Sequence, residues 1–237
     1  MSAATTRCMP QSCIRRRCEG AERTRSGFTL IEVAIVVAIL AVLAAAVVPS
    51  MVGGSADARL RSAVQEMSAA FGFARSEAIR TGQIHLVFVG TDASGNALPA
   101  FNTGPAIVSV VNDGVPGSVN QNCQIDPGEE RLSVEPRAGV AGGVMPGVVA
   151  MPDDVGLGAI ATGSTLTEPD GDPASWVLFR PEGTAHAFDA GCAIGAFGTG
   201  AGGIYLNNGR KQFGYALRPI GNGRARIWER GNAQWAN

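Results

Sequence analysis

Residues 28–48, FTLIEVAIVVAILAVLAAAVV, constrain this chain more than any other stretch, because 21 consecutive residues hold a single charge, Glu32. As an α-helix rising about 1.5 Å per residue, such a run spans the roughly 30 Å hydrocarbon core of a bilayer. Arg7, Arg15, Arg16, Arg17, Arg23 and Arg25 precede it, against only Glu19 and Glu22. Positive charge stays on the cytoplasmic side, so the amino terminus is expected in the cytoplasm and everything after the run on the opposite side. A secretory signal peptide is shorter in its apolar part and is cut after it. Here the small residue, Gly27, comes before the apolar run.

The segment Arg25-Ser26-Gly27-Phe28-Thr29-Leu30-Ile31-Glu32-Val33 closely resembles the type IV prepilin signal. That resemblance implies cleavage between Gly27 and Phe28 by a prepilin peptidase, N-methylation of Phe28, and retention of the apolar helix. It also implies a role in assembly for Glu32 and Pro49. An ionised carboxylate inside a membrane helix costs roughly 2.5 to 3.5 kcal/mol even on the lenient insertion scale. Cleavage would create an α-amine on Phe28, a cation within one helical turn of Glu32. In the pilin family this acid is thought to pair with the terminal amine of a neighbouring subunit. Pro49 removes a backbone donor and is expected to bend or loosen the helix, with Gly53 and Gly54 weakening it further.

Removing the leader, residues 1–27, changes the balance of charge and of cysteine. Taking its six arginines and two glutamates from the 19 basic and 20 acidic residues leaves 13 and 18, a net charge of −5, which argues against general attraction to nucleic acid. Cys8, Cys13 and Cys18 leave with it, and Cys123 and Cys192 remain. Outside the cytoplasm these two are candidates for a disulfide that closes a long loop, stabilising by roughly 3 to 5 kcal/mol; two separate buried thiols are the alternative.

After the glycines, Leu60, Val64, Met67, Phe71, Ala74 and Ala78 recur at intervals of three and four, one face of a helix, with Arg59, Arg61, Glu66 and Arg75 opposite. Thr81-Gly82 supplies the stop. The organisation expected is a cleaved leader at 1–27, a membrane-spanning half-helix at 28–48, an amphipathic half at 49–82 and a body at 83–237. Strand-like patterns lie at 84–89, 106–111, 130–134, 176–179, 203–206, 212–217 and 224–228. With 32 Gly, 13 Pro and 6% aromatics, short strands joined by many turns are favoured over a helical bundle. The fold class expected is α+β, a long amino-terminal helix packed on an antiparallel sheet body. Residues 138–174, rich in Gly, Pro and Asp, are read as a long loop.

The helix segment FARSEAIRTGQ, the stretch from Trp176 to Gly183 (WVLFRPEG) and the closing Gly223-Arg224-Ala225-Arg226 resemble the GspH/FimT family, which contains minor pseudopilins of type II secretion and minor type IV pilins. The resemblance implies a structural, inner-membrane-anchored protein with a periplasmic body, partnered by other pilins or pseudopilins and by the prepilin peptidase. It implies no cofactor and no small-molecule substrate. The long insertion at 138–174 departs from the family pattern.

Candidate chemical groups are few. His85 sits in an apolar strand pattern, and His186 and Cys192 are six residues apart, but no nucleophile elbow, metal-binding His pair or phosphate loop accompanies them. No catalytic activity is expected. Asp170 and Asp172, with Asp153 and Asp154, lack the spaced acid series of a calcium loop, and no metal site is expected. The carboxy-terminal stretch is different: Arg210, Lys211, Arg218, Arg224, Arg226 and Arg230 oppose only Glu229. In a strand Arg224, Arg226 and Trp228 share a face, so two guanidiniums could hold successive phosphates while the indole stacks on a base. The Gly-Arg-x-Arg ending resembles that of DNA-binding competence pilins, which makes DNA a candidate partner. Related endings also occur in secretion pseudopilins, where edge-strand charge prevents sheet-to-sheet association. Both readings stay open at this point.

Overall fold

The computed structural model describes residues 27–96, 98, 107–129, 131–135, 137–229 and 231–236; the side chains of 45–53 and 131 lie outside that description. The leader up to residue 26, with Cys8, Cys13 and Cys18, is likewise outside the described residues. The chain divides into two compact units, Met1–Val47 and Val48–Asn237.

Helix α1 covers Leu30–Thr81. Its start is capped by Thr29, whose hydroxyl oxygen accepts the backbone N–H of Glu32 at 3.3 Å. Thr29 and Glu32 have the three-residue spacing of a capping box, and the acid in the first turn also complements the helix dipole. Pro49, Gly53 and Gly54, expected to bend or loosen the helix, lie within its bounds. The side-chain surroundings of Pro49 lie outside the described residues. In the first unit Leu30, Ile31, Val36, Leu40 and Leu43 are exposed, an apolar surface the unit itself does not cover. Among the described residues no helix is long and apolar enough to cross a membrane. The side chains of that apolar run are described for 28–44.

In the second unit the stripe Leu60, Val64, Met67, Phe71, Ala74 and Ala78 is buried throughout, joined by Ala63 and Ala70. Four of these eight positions are alanine, and the stripe shares one core with residues of both sheets. At the far end Gly82, with φ +67°, takes the left-handed conformation and donates its N–H to the carbonyl of Ala78 at 3.0 Å.

Among the described residues ten strands form two antiparallel five-stranded sheets. The first runs in the order β3 (Arg131–Val134), β2 (Val108–Gly114), β1 (Ile84–Val89), β5 (Trp176–Phe179), β6 (Ala185–His186). β1 is central and almost wholly buried, which is why its sequence, IHLVFV, reads as an apolar run rather than an alternation. The second sheet runs β10 (Gln234–Ala236), β9 (Gly223–Glu229), β8 (Gln212–Leu217), β7 (Gly202–Asn207), β4 (Ala141–Gly142). Phe71 joins the two: its ring lies 6.3 Å from Phe179 of the first sheet and 5.1 Å from Tyr215 of the second.

The 138–174 stretch is more than a connecting loop. It contributes edge strand β4 and a 3-10 turn at Ile160–Thr162, and it covers the face of the second sheet that the helix does not. Met151 packs with Tyr205 and Ala216 in a small second core, flanked by Val144, Ile160 and Trp235. Gly214 makes the approach possible, since a Cβ there would sit 2.5 Å from the Met151 sulfur. Gln212, fully buried, binds the segment with its side chain: its Oε1 accepts the N–H of Met145 at 2.8 Å, and its Nε2 donates to the carbonyl of Gly143 at 3.0 Å.

Candidate functional site

Gly27, Phe28 and Thr29 precede the first turn of α1 in non-helical backbone, and Gly27 and Phe28 are exposed. A peptide bond outside regular structure can be drawn into a protease cleft without first unwinding a helix. The Thr29 cap therefore leaves the Gly27–Phe28 bond accessible while starting the helix two residues later. Glu32 is exposed on the first turn, so the residues that the prepilin resemblance singles out, Gly27, Phe28 and Glu32, occupy one short stretch at the head of the apolar helix.

Cys123 and Cys192 are joined, with sulfurs 1.96 Å and Cα atoms 5.2 Å apart across 69 residues of sequence. The bond ties the turn after β2 to the loop between β6 and β7. Both half-cystines have left-handed backbone, φ 58° and 63°, a conformation uncommon outside glycine. Asp113, fully buried near the end of β2, sits beside this bond and accepts the backbone N–H groups of Asn122 and Cys123, each at 3.1 Å. Burial pushes its carboxyl up to about 6 despite those two bonds, and the nearby charges of Glu129 and Asp126 push the same way.

The carboxy-terminal strand makes internal contacts with the 138–174 segment. Cross-strand register sets Arg224 against Ala216, Arg226 against Gly214 and Trp228 against Gln212, so the three do share a face. It is the face that the 138–174 segment covers. Arg226 is largely buried and donates its Nε to Oδ2 of Asp153 at 2.5 Å. Arg218 reaches the other oxygen of the same carboxylate at 3.3 Å. The bond from Arg226 is the largest influence holding the Asp153 carboxyl below its usual range, with the charges of Arg226, Arg224 and Arg218 adding to it. Trp228 is buried, its ring 5.3 Å from Trp235 in an edge-to-face contact. Trp235 in turn donates its indole N–H to the carbonyl of Val149. The second tryptophan comes from β10, which sequence patterning had not identified as a strand.

Of the four aspartates weighed as calcium ligands, Asp153 is the acid that engages the arginines. Asp154 accepts bonds from the Tyr205 hydroxyl at 2.5 Å, the Thr165 hydroxyl at 2.6 Å and the Gly156 N–H at 2.9 Å. The side chain of Asp170 accepts the N–H of Asp172 within its own turn. His186 is held between the Thr184 hydroxyl and the Gly195 carbonyl, both at 3.0 Å. Cys192, its imagined catalytic partner, has its sulfur in the disulfide. Acidic and thiol groups do converge at Asp113, Cys123 and Cys192, whose side-chain oxygen and sulfur atoms lie within 4.8 Å of one another, but the joined sulfurs offer no thiolate.

No curated protein and no solved structure matches the chain. The family described as prokaryotic N-terminal methylation motif matches residues 23–48, the stretch that carries Gly27, Phe28, Thr29 and Glu32. The chain therefore bears the prepilin-type signal of type IV pilin-like proteins, placed at the head of a helix whose second half anchors an α+β body.

Proposed function

We propose that this protein is a structural minor pseudopilin of a type II protein secretion system, of the GspH/FimT type. After cleavage behind Gly27 and methylation of Phe28, its helix inserts among those of other pseudopilins in a short periplasmic pseudopilus. The observation that carries this reading is the methylation motif at 23–48 on a helix with a bare apolar surface at one end and a buried amphipathic stripe at the other. A bare apolar face wants lipid before assembly and neighbouring helices after it. The protein has no enzymatic activity of its own in this reading, and the covalent chemistry belongs to the peptidase.

The DNA-uptake reading, with Arg224, Arg226 and Trp228 as the contact residues, would require Arg226 to leave Asp153 and Trp228 to leave Trp235. Two experiments test the proposal together. Mass spectrometry of protein co-produced with a prepilin peptidase is expected to show loss of residues 1–27 and one added methyl group; an intact leader overturns the assignment. Deletion of the gene is expected to impair type II secretion and leave transformation by DNA unchanged. The opposite pattern, with salt-dependent duplex binding lost in Arg224→Ala/Arg226→Ala, supports uptake instead.

A further inference from the structure

We propose that Asp113 is the proton acceptor for making and exchanging the Cys123–Cys192 disulfide, a chemical role separate from filament assembly. Three observations converge. The carboxylate is fully buried and lies within 4.8 Å of both sulfurs. It is fixed in place by the N–H of Cys123 itself, at 3.1 and 3.2 Å to its two oxygens, so base and nucleophile are held by the same turn. The second cysteine, Cys192, is only partly buried, unlike the fully buried Cys123, and its sulfur takes a bond from the Gln121 side chain at 3.9 Å.

Cysteine reacts as the thiolate, and a buried thiol gives up its proton reluctantly. In the reduced protein the Cys192 thiolate attacks one sulfur of an external small-molecule disulfide. A mixed disulfide forms, and one reagent thiolate leaves and takes up a proton from water. Asp113 then accepts the proton of Cys123. The resulting thiolate attacks the Cys192 sulfur, the Cys123–Cys192 bond forms, and the second reagent thiolate leaves. Two electrons pass from the two cysteines to the reagent disulfide, and Asp113 returns its proton to water. A carboxyl raised to about 6 by burial, with Asp126 and Glu129 adding to the rise, is closer in proton affinity to a thiol than an exposed aspartate is. The same residue serves the reverse reaction by protonating the departing Cys123 sulfur.

The sign of one measurement separates this role from a fixed charge. A carboxylate that never moves a proton disfavours thiolate formation by repulsion, so its removal speeds closure; a carboxylate that accepts the proton slows closure when removed. The full-length protein in detergent micelles is reduced, freed of reductant and mixed with oxidised glutathione at pH 5 to 8, and closure, timed as conversion of the Cys192–glutathione mixed disulfide to the Cys123–Cys192 bond, is followed by acid quench, alkylation and mass spectrometry. Asp113→Asn is expected to close at least tenfold more slowly than wild type at pH 7. Wild-type closure is expected to bend with the ionisation of a group near pH 6, and the variant to rise about tenfold per pH unit throughout. Equal or faster closure in Asp113→Asn overturns the proposal. Should that variant lose its tryptophan fluorescence signature of folding, the wild-type profile decides alone: a tenfold rise per unit with no bend below pH 7 overturns it.

Discussion

Arg226 of β9 and Asp153 of the 138–174 segment, 73 residues apart, meet with the guanidinium Nε 2.5 Å from the carboxylate, both side chains about 85% covered. A pair so enclosed acts as an internal clamp between the covering segment and the strand. Asp153→Ala is expected to destabilise the body by about 1.5 to 3 kcal/mol, the range for a charged hydrogen bond whose partner is left buried. The doubly substituted Asp153→Ala/Arg226→Ala is expected to cost less than the sum of the two single changes, read by urea denaturation. Because Asp153 has its carboxyl lowered in the folded state, its contribution is present above the ordinary carboxylate range and is lost as pH falls below it.

Gly214 and Met151 make the second contact on which that covering depends. Gly214→Ala is expected to cost about 1 to 3 kcal/mol through overpacking, because the added methyl lands on the methionine sulfur. Met151→Ala in the same chain is expected to recover part of that loss, and thermal melts of the single and double variants check it.

Asp113 gives the stability an opposite dependence on pH. A carboxyl whose folded value is raised to about 6, from about 3.8 unfolded, binds its proton more tightly in the native state. Its contribution is therefore greatest below the unfolded value and falls as pH rises from about 4 to about 6, by up to about 1.4 kcal/mol per pH unit. Asp113→Asn is expected to remove that slope, so the difference between wild type and variant in denaturation midpoint should change across this window and be flat above pH 7. A difference that does not vary between pH 4 and 6 would count against the shift.

At the other end of the chain Glu32→Gln is expected to leave cleavage after Gly27 intact, since Thr29 still caps the helix, and to remove the carboxylate that the new Phe28 amine would meet. The processed variant should stay in the membrane fraction and fail to enter sheared filaments or to crosslink with other pilin-like subunits. Normal incorporation would show that Glu32 serves only the start of the helix.

Much of the body was readable because neighbouring residues carry its pattern. β1, β5 and β8 occupy the expected residues, and the buried stripe from Leu60 to Ala78 is the one that three-four spacing picks out. β2 starts two residues later and runs three further than expected, because its pairing with β1 continues past polar Asn112 to Gly114, with Asp113 in the irregularity between them. The three strands not foreseen, β4, β6 and β10, are two or three residues long, too short to display a period, and each exists through the strand beside it.

The sequence alone determined the parts whose information is local: the processing signal, the helix and its buried stripe, and most of the ladder-forming runs. Only the tertiary structure decided what the polar and sulfur groups do. Arg226 and Trp228 look outward-facing on a strand read by itself. They are inward-facing here because sheet register and the small side of Gly214 bring Asp153, Met151 and Trp235 over them. Cys123, Cys192 and Asp113 likewise meet because two sheet-bound loops end at one point. Such contacts join residues tens of positions apart, and no periodicity in the chain encodes which long-range partner arrives.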